Sequence, residues 1–342
     1  MPFKAFSRRI LASGILSLPI IGGELARDDR KFFEYASGIL KERAATEEEI
    51  SGSRKDIMHH LLHAKDPMTG KPFSHEQLGI ESSLLIAAGA DTTSLTLAAA
   101  FFYLVRNPRV MQNLEKEIQS TFFSSGSTDL TTPSKLISLP YLRAVVDETL
   151  RLAPPVPSLL PRQVLKGGIT IDGNFIPEGT IVGVPAYAIH RTPEYFPEPE
   201  KFIPERWLAT EDPNDTTSTD VPRTPQSVSL ARQAFVAFSQ GSRGCIGRQL
   251  AYYELHTALA HLLYRFEIRL ARDPQTQKPM ADRMGWKTGL ADDSVANGSG
   301  GSKTSCREER QREDEFQLFD QFLADRNGPM VEFRQRVGIC SS

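Results

Sequence analysis

The sequence predicts a mainly α-helical protein with small β-sheets. The first observation behind this is a helical pattern that runs from Ser74 to about Arg106. The second is a set of further runs, 108–122, 141–152 and 247–264, whose apolar residues recur at helical spacing. The third is that strand-like stretches are short and confined to a hairpin around Asp172-Gly173 and to the C-terminal region. The 342 residues suffice for one large core or two ordinary ones. A net charge of −2 provides no basic field for nucleic acid, so no nucleic-acid partner is expected. Three cysteines, Cys245, Cys306 and Cys340, make no disulfide framework and suit a reducing compartment.

At the N-terminus, Lys4, Arg8 and Arg9 precede an apolar run from Ile10 to Gly22. It has the outline of a signal peptide, but it is too short to span a bilayer and Pro19 interrupts it. A buried or membrane-touching helix is the reading it supports. No other segment reads as apolar for long enough to cross a membrane, so no transmembrane anchor is expected. Arg27–Arg43 is an amphipathic helix pattern and Ser53–His63 a second. His59 and His63 share a helix face in the latter. They lack a third ligand, so a solvated histidine face is favoured over a metal site.

Ser74-His75-Glu76-Gln77 is a capping box and opens the long helix, which Asn107-Pro108 ends. The middle of that helix, Ala88-Gly89-Ala90-Asp91-Thr92-Thr93, breaks helix rules. A helical glycine costs about 1 kcal/mol relative to alanine, and Thr92 can bond back onto a carbonyl and bend the chain. Either a simple kink with a solvated acid or a functional site explains such a segment. Pro108 and Pro140 each open a further helix. Glu148 and Arg151 in the second are neighbours on one face, an arrangement ordinary for a surface ion pair. Pro154, Pro155, Pro157 and Pro161 stiffen the next segment, which ends at Arg162.

Gly168–Ile171 and Phe175–Val184 read as strands, followed by Ala186–His190 and a proline-punctuated stretch to Pro204-Glu205-Arg206-Trp207. Asp212–Gln226 reads as a polar surface loop. Helix Gly247–Tyr264 carries Tyr252, Leu255 and Leu259 among its apolar positions. Ser294–Ser305 is rich in glycine and serine, and residues 292–312 are expected to form a flexible insertion. Phe316–Arg336 suggests a closing strand pair turning at Asn327-Gly328-Pro329.

The stretch with the most chemistry is Phe238-Ser239-Gln240-Gly241-Ser242-Arg243-Gly244-Cys245-Ile246-Gly247. Glycines at 241, 244 and 247 permit positive φ and close approach to a flat ligand. Loop N–H groups and the start of the following helix could keep Cys245 ionised, as a metal ligand requires. A buried thiol behind a glycine turn is the plainer alternative. A zinc or redox-thiol site is disfavoured because Cys245 has no cysteine nearby.

Phe-x-x-Gly-x-Arg-x-Cys-x-Gly follows, in order, Ala-Gly-x-Asp-Thr-Thr, Glu-x-x-Arg and Pro-Glu-Arg-Trp. Together these resemble the cytochrome P-450 family, of fungal type, from about residue 25 to residue 340. The resemblance implies a cytochrome P-450 fold lacking roughly the N-terminal third, with residues 1–342 forming a single partial domain. It implies a haem (iron protoporphyrin IX with axial thiolate) bound between the long helix and the cysteine loop, with Cys245 as iron ligand. Phe238, Gly244 and Ile246 would surround the sulfur, and Arg162, Arg243 and His190 would take the propionates. Glu148, Arg151 and Arg206 would form a structural ion network. Thr92 and Asp91 would deliver protons, and Leu85, Ala88, Gly89, Val156, Leu159 and Leu160 would line a lipophilic substrate pocket.

The activity so implied is insertion of one oxygen atom from O2 into a lipophilic organic substrate, in secondary-metabolite biosynthesis. Electrons would come from an NADPH-dependent cytochrome reductase at the endoplasmic reticulum surface, facing the cytosol, with peripheral membrane contact. Two alternatives are a truncated, non-catalytic remnant that binds haem weakly or not at all, and a haem-thiolate isomerase or dehydratase.

Overall fold

The structure is a computed structural model that describes residues 23–46, 55–123, 133–210, 221–272, 274–275, 314–319, 323–326 and 328–336. The apolar run 10–22, most of the polar stretch after Asp212 and the 292–312 insertion therefore lie outside the described residues. The chain divides into two compact units, Met1–Ala90 and Asp91–Ser342.

In the first unit, helix α1 (Gly23–Ala45) is followed by α2 (Ile57–His63). The second helix starts later than the sequence pattern suggests because Asp56 caps it, accepting the His59 N–H at 2.9 Å. The same carboxylate pairs with Arg43 at 3.1 Å and so ties the two helices. His59 and His63 do share a face, with ring centroids 4.5 Å apart. No cluster of three metal-binding side chains occurs among the described residues.

Helix α3 (His75–Arg106) opens on the expected capping box, with Ser74 N–H donating to Gln77 at 2.8 Å and Gln77 N–H to Ser74 at 3.2 Å. It remains α-helical through residues 88–93, where the sequence suggested a kink. By length and composition this helix could cross a membrane, contrary to the expectation that no segment could. Leu95, Ala99, Phe102 and Leu104 are nevertheless almost wholly buried, so its C-terminal half serves as a core helix of the second unit.

Around that half pack α4 (Pro108–Phe123), α5 (Pro133–Ile137), α6 (Pro140–Leu152) and, later, α9 (Arg248–Arg265). Helix α6 is buried from Ala144 to Leu152 without a gap. Its N-cap residue, Leu139, has no capping side chain. Glu117 of α4 takes over, accepting the N–H groups of Tyr141 and Leu142 at 2.8 Å each. A carboxylate suits that post because the first turn of a helix has unpaired donors and a partial positive charge. Two short helices, α7 (Ala186–Ile189) and α8 (Pro225–Ala234), complete the helical part. Helix α8 starts inside the stretch read as a surface loop, and Thr224 caps it by accepting the Ser227 N–H.

Among the described residues the strands form four antiparallel two-stranded sheets. β2 (Ile169–Ile171) and β3 (Asn174–Ile176) make the expected hairpin, with Asp172 and Gly173 at φ 48° and 75°. The strand anticipated from Phe175 to Val184 is interrupted at Gly179, and β4 (Ile181–Val182) pairs instead with β1 (Arg162–Gln163). The C-terminal region also differs from the expected strand pair. β5 (Phe266–Leu270) takes β8 (Val331–Gln335) as its partner, leaving β6 (Leu318–Phe319) to pair with β7 (Asp325–Arg326). Helix α9 runs directly into β5, which places that strand where β8 can reach it.

Candidate cofactor cavity

The second unit contains a cavity of about 1030 Å³. Its walls bring together Thr92, Thr93 and Thr96 of α3, the segment from Pro155 to Arg162, β4, and the loop carrying Cys245. Arg162, Arg243 and Cys245 supply the charged and soft groups. Val156, Leu160, Val182 and Leu255 supply much of the apolar wall.

The loop is shaped by its backbone. Ser239 and Gly241 adopt φ of 57° and 71°, whereas Gly244 and Gly247 sit at −59° and −79°. Only Gly241 of the three glycines therefore uses the left-handed region. Gly244 is needed for a different reason, since a Cβ there would lie 3.2 Å from the Gly241 carbonyl oxygen. The Cys245 N–H donates to the Phe238 carbonyl at 2.8 Å, closing the loop on itself. Cys245 is exposed into this space, and the Ile246 side chain points away from packing at 97% exposure. Phe238 lines the cavity and packs its ring 5.1 Å from that of Tyr252.

Thr92 and the buried Thr96, both lining the cavity, share a helix face, and the Thr96 hydroxyl donates to the Thr92 carbonyl at 2.8 Å. Thr93 reaches across to α9, donating to Glu254 at 3.3 Å. Asp91 is exposed and does not line the cavity. Of the anticipated pocket residues, Val156 and Leu160 line it. Leu159 is 42% exposed and does not. Leu85, Ala88 and Gly89 belong to the first unit, where all three are exposed.

His190 has a different role from the one the motif suggested. It is fully buried and absent from the cavity wall. One ring nitrogen contacts the Arg151 carbonyl at 3.1 Å, and the other accepts the Val236 N–H at 2.9 Å. Both nitrogens are thus committed to backbone, leaving none for a propionate. Burial, with the nearby Arg151, holds the imidazole neutral by lowering its pKa to about 3.

Behind the cavity lies a buried ion network. Glu148 and Arg151 are both fully buried, their ion pair closing at 2.9 Å, and Arg206 joins the same carboxylate at 3.0 Å. Glu148 also accepts the Trp207 indole N–H at 3.0 Å and the Ile203 N–H at 2.9 Å. Arg151 spends its remaining donors on the carbonyls of His190, Pro199 and Lys201. Burial alone would raise the Glu148 pKa, but the guanidiniums of Arg151 and Arg206 outweigh it and hold the group at about 2. Sequence reasoning found the three charged members and missed Trp207, Asp147, Tyr252 and Thr96. An acid beside Glu148 and a tyrosine in an apolar helix carry no local signal of pairing.

Comparison with known proteins places these features in context. The family model described as Cytochrome P450 matches residues 15–291. A cytochrome P450 monooxygenase of Emericella nidulans, atnE, is 37% identical over 90% of the chain and 51% of its own length. A Gibberella fujikuroi relative, the cytochrome P450 monooxygenase apf8, is 35% identical over 90% of the chain and 72% of its own length. The chain thus spans about half the length of the first of these relatives. Among solved structures, a cytochrome P450 (CYP102L1) superposes with a TM-score of 0.62 at 24% identity, covering 91% of this chain and 57% of that one. That likeness bears on the fold alone. A thiolate-ligated haem is the cofactor the family implies. With a family match that embraces the cysteine loop, the buried Glu-x-x-Arg pair and the threonine wall, the chain belongs to the cytochrome P450 family.

Proposed function

We propose that this chain is a haem-thiolate monooxygenase that inserts one oxygen atom from O2 into a lipophilic organic substrate. The observation that carries this reading is the meeting, in one cavity, of Cys245, two guanidiniums and a threonine wall. That donor set fits the group. A soft thiolate suits iron, and Arg162 and Arg243 offer planar forks for two propionates. The apolar walls suit a porphyrin face and a lipophilic substrate.

When bound, the haem supplies reductive activation of dioxygen. Cys245 would hold it from the loop, and the Phe238 ring lines the same cavity. Gly244 keeps the backbone close, and Ile246 leaves the loop by turning outward. Thr92, on the facing helix, holds water and passes protons, with Asp91 next to it in sequence and open to solvent. Val156 and Leu160 bound the substrate side. Glu148, Arg151 and Arg206 keep the loop's supporting segment folded and thereby retain the cofactor. An NADPH-dependent reductase at the cytosolic face of the endoplasmic reticulum would supply electrons. A place in secondary-metabolite biosynthesis belongs to the same reading, and the relatives that carry the name monooxygenase are fungal.

The test is spectroscopic. Purified protein loaded with haem, reduced and exposed to carbon monoxide, is expected to show the strongly red-shifted Soret band of thiolate ligation, and Cys245→Ala is expected to lose it. A wild-type chain that takes up no haem, or shows only the unshifted band, overturns the reading.

A further inference from the structure

We propose that Tyr252, anchored by the buried carboxylate of Asp147, is a positioning residue that holds the Cys245 loop through Phe238. The proposal rests on the reading of Cys245 as the thiolate ligand. Each contact in the chain of contacts is short. Asp147 of α6 and Tyr252 of α9 are 2% and 4% exposed, and the phenol donates to the carboxylate at 2.6 Å. Arg143, one turn earlier on α6, grips both oxygens of Asp147 at 3.0 Å. Its guanidinium also lies over the Tyr252 ring, 3.6 Å from the centroid. The tyrosine is therefore fixed at its hydroxyl and at one ring face. Its ring packs against Phe238, at 5.1 Å between centroids. Phe238 in turn supplies the carbonyl that receives the Cys245 N–H at 2.8 Å.

The geometry converts a side-chain anchor into backbone order at the cysteine. A phenol on a carboxylate is a charge-assisted hydrogen bond, roughly twice as strong as a neutral one. Its loss leaves the Asp147 carboxylate held by Arg143 alone and unties the hydroxyl end of the Tyr252 ring. Tyr252 would then be free to tilt, Phe238 would lose its packing partner, and the carbonyl that closes the loop would drift. Asp147 adjoins Glu148 in sequence, so α6 serves both sides of the loop. Glu148 holds the segment before it and Asp147 holds the helix after it.

The experiment uses hydrogen exchange and the carbon monoxide spectrum together. In the haem-free full chain, Tyr252→Phe removes the bond and is expected to speed amide exchange in the 238–245 peptide by about tenfold, while Asp147→Asn leaves a neutral acceptor and is expected to speed it by less. In the haem-loaded protein both are expected to raise the fraction of the unshifted Soret band over wild type. The control, Tyr141→Phe, removes an equivalent 2.8 Å bond to Glu205 and is expected to change neither readout at the loop. Exchange in 238–245 that matches wild type in both variants overturns the proposal. So does an equal acceleration by Tyr141→Phe, which would mark a general loss of stability. If wild type never shows the red-shifted band, the haem-thiolate reading fails, while the exchange comparison still decides whether Tyr252 orders the loop.

Discussion

Thr92 is where the chain's chemistry is most open to a single substitution. It lines the same cavity as Cys245. Thr92→Ala removes a hydroxyl and little volume, so the core that begins at Leu95 should be unaffected. The expected outcome is a protein that keeps haem and its red-shifted carbon monoxide band but delivers a smaller share of reducing equivalents to product. Measuring product formed per NADPH consumed checks it, and an unchanged ratio would remove Thr92 from the proton path. At this scale the sequence was informative about identity and less so about role. Cys245, Arg162, Arg243 and Thr92 line one cavity. His190 does not join them, because burial turned both its nitrogens to backbone partners. Asp91 is next to Thr92 in sequence, but helical geometry leaves it exposed and off the cavity wall.

Among elements, α6 organises its surroundings through one guanidinium. Arg151 makes five hydrogen bonds, two to Glu148 and three to the carbonyls of His190, Pro199 and Lys201. Arginine carries five N–H donors in a planar fork, so its capacity is filled. Arg151→Lys keeps the charge and supplies only three donors, leaving buried acceptors unmet. The expected cost is about 1–3 kcal/mol for each buried acceptor left unmet, read as a fall in the urea midpoint with little change in slope. A loss below about 1 kcal/mol would show that charge alone is what the site needs. Helix positions were legible because their apolar spacing is local and proline marks several starts. The β5–β8 pairing was not, because a two-stranded register depends on which distant edge is free. Nor was the capping of α6 by Glu117, a residue that reads simply as the polar side of α4.

Within the second unit, Glu148 and two histidines make stability fall in acid, opposed by Asp147 and Glu117, whose pKa values burial raises. Glu148 has its folded pKa lowered from an ordinary 4.5 to about 2, so its contribution is complete above the unfolded value and fades as pH drops towards 2. Two buried histidines act earlier and in the same direction. Burial lowers His190 from 6.5 to about 3 and His256 from 6.5 to about 4, with Arg143 adding to the effect at His256. Below pH 6.5 the unfolded chain takes up protons that the folded chain refuses, so stability declines as pH falls. Urea midpoints measured from pH 7.5 down to about 4 should fall less in His256→Leu than in wild type. His256 is suited to that test because neither ring nitrogen has a hydrogen-bond partner among the described residues. An equal pH dependence in wild type and His256→Leu would overturn the lowered pKa of His256.

The self-closing turn around Cys245 carries a last consequence. The amide of residue 245 returns to the carbonyl of residue 238, with Ser239 and Gly241 supplying the two reversals of direction. Such a ring has a fixed circumference. Lengthening or shortening it by one residue would rotate the sulfur off its heading even if every motif letter were retained, so this segment should reject insertions that an ordinary surface connection would absorb.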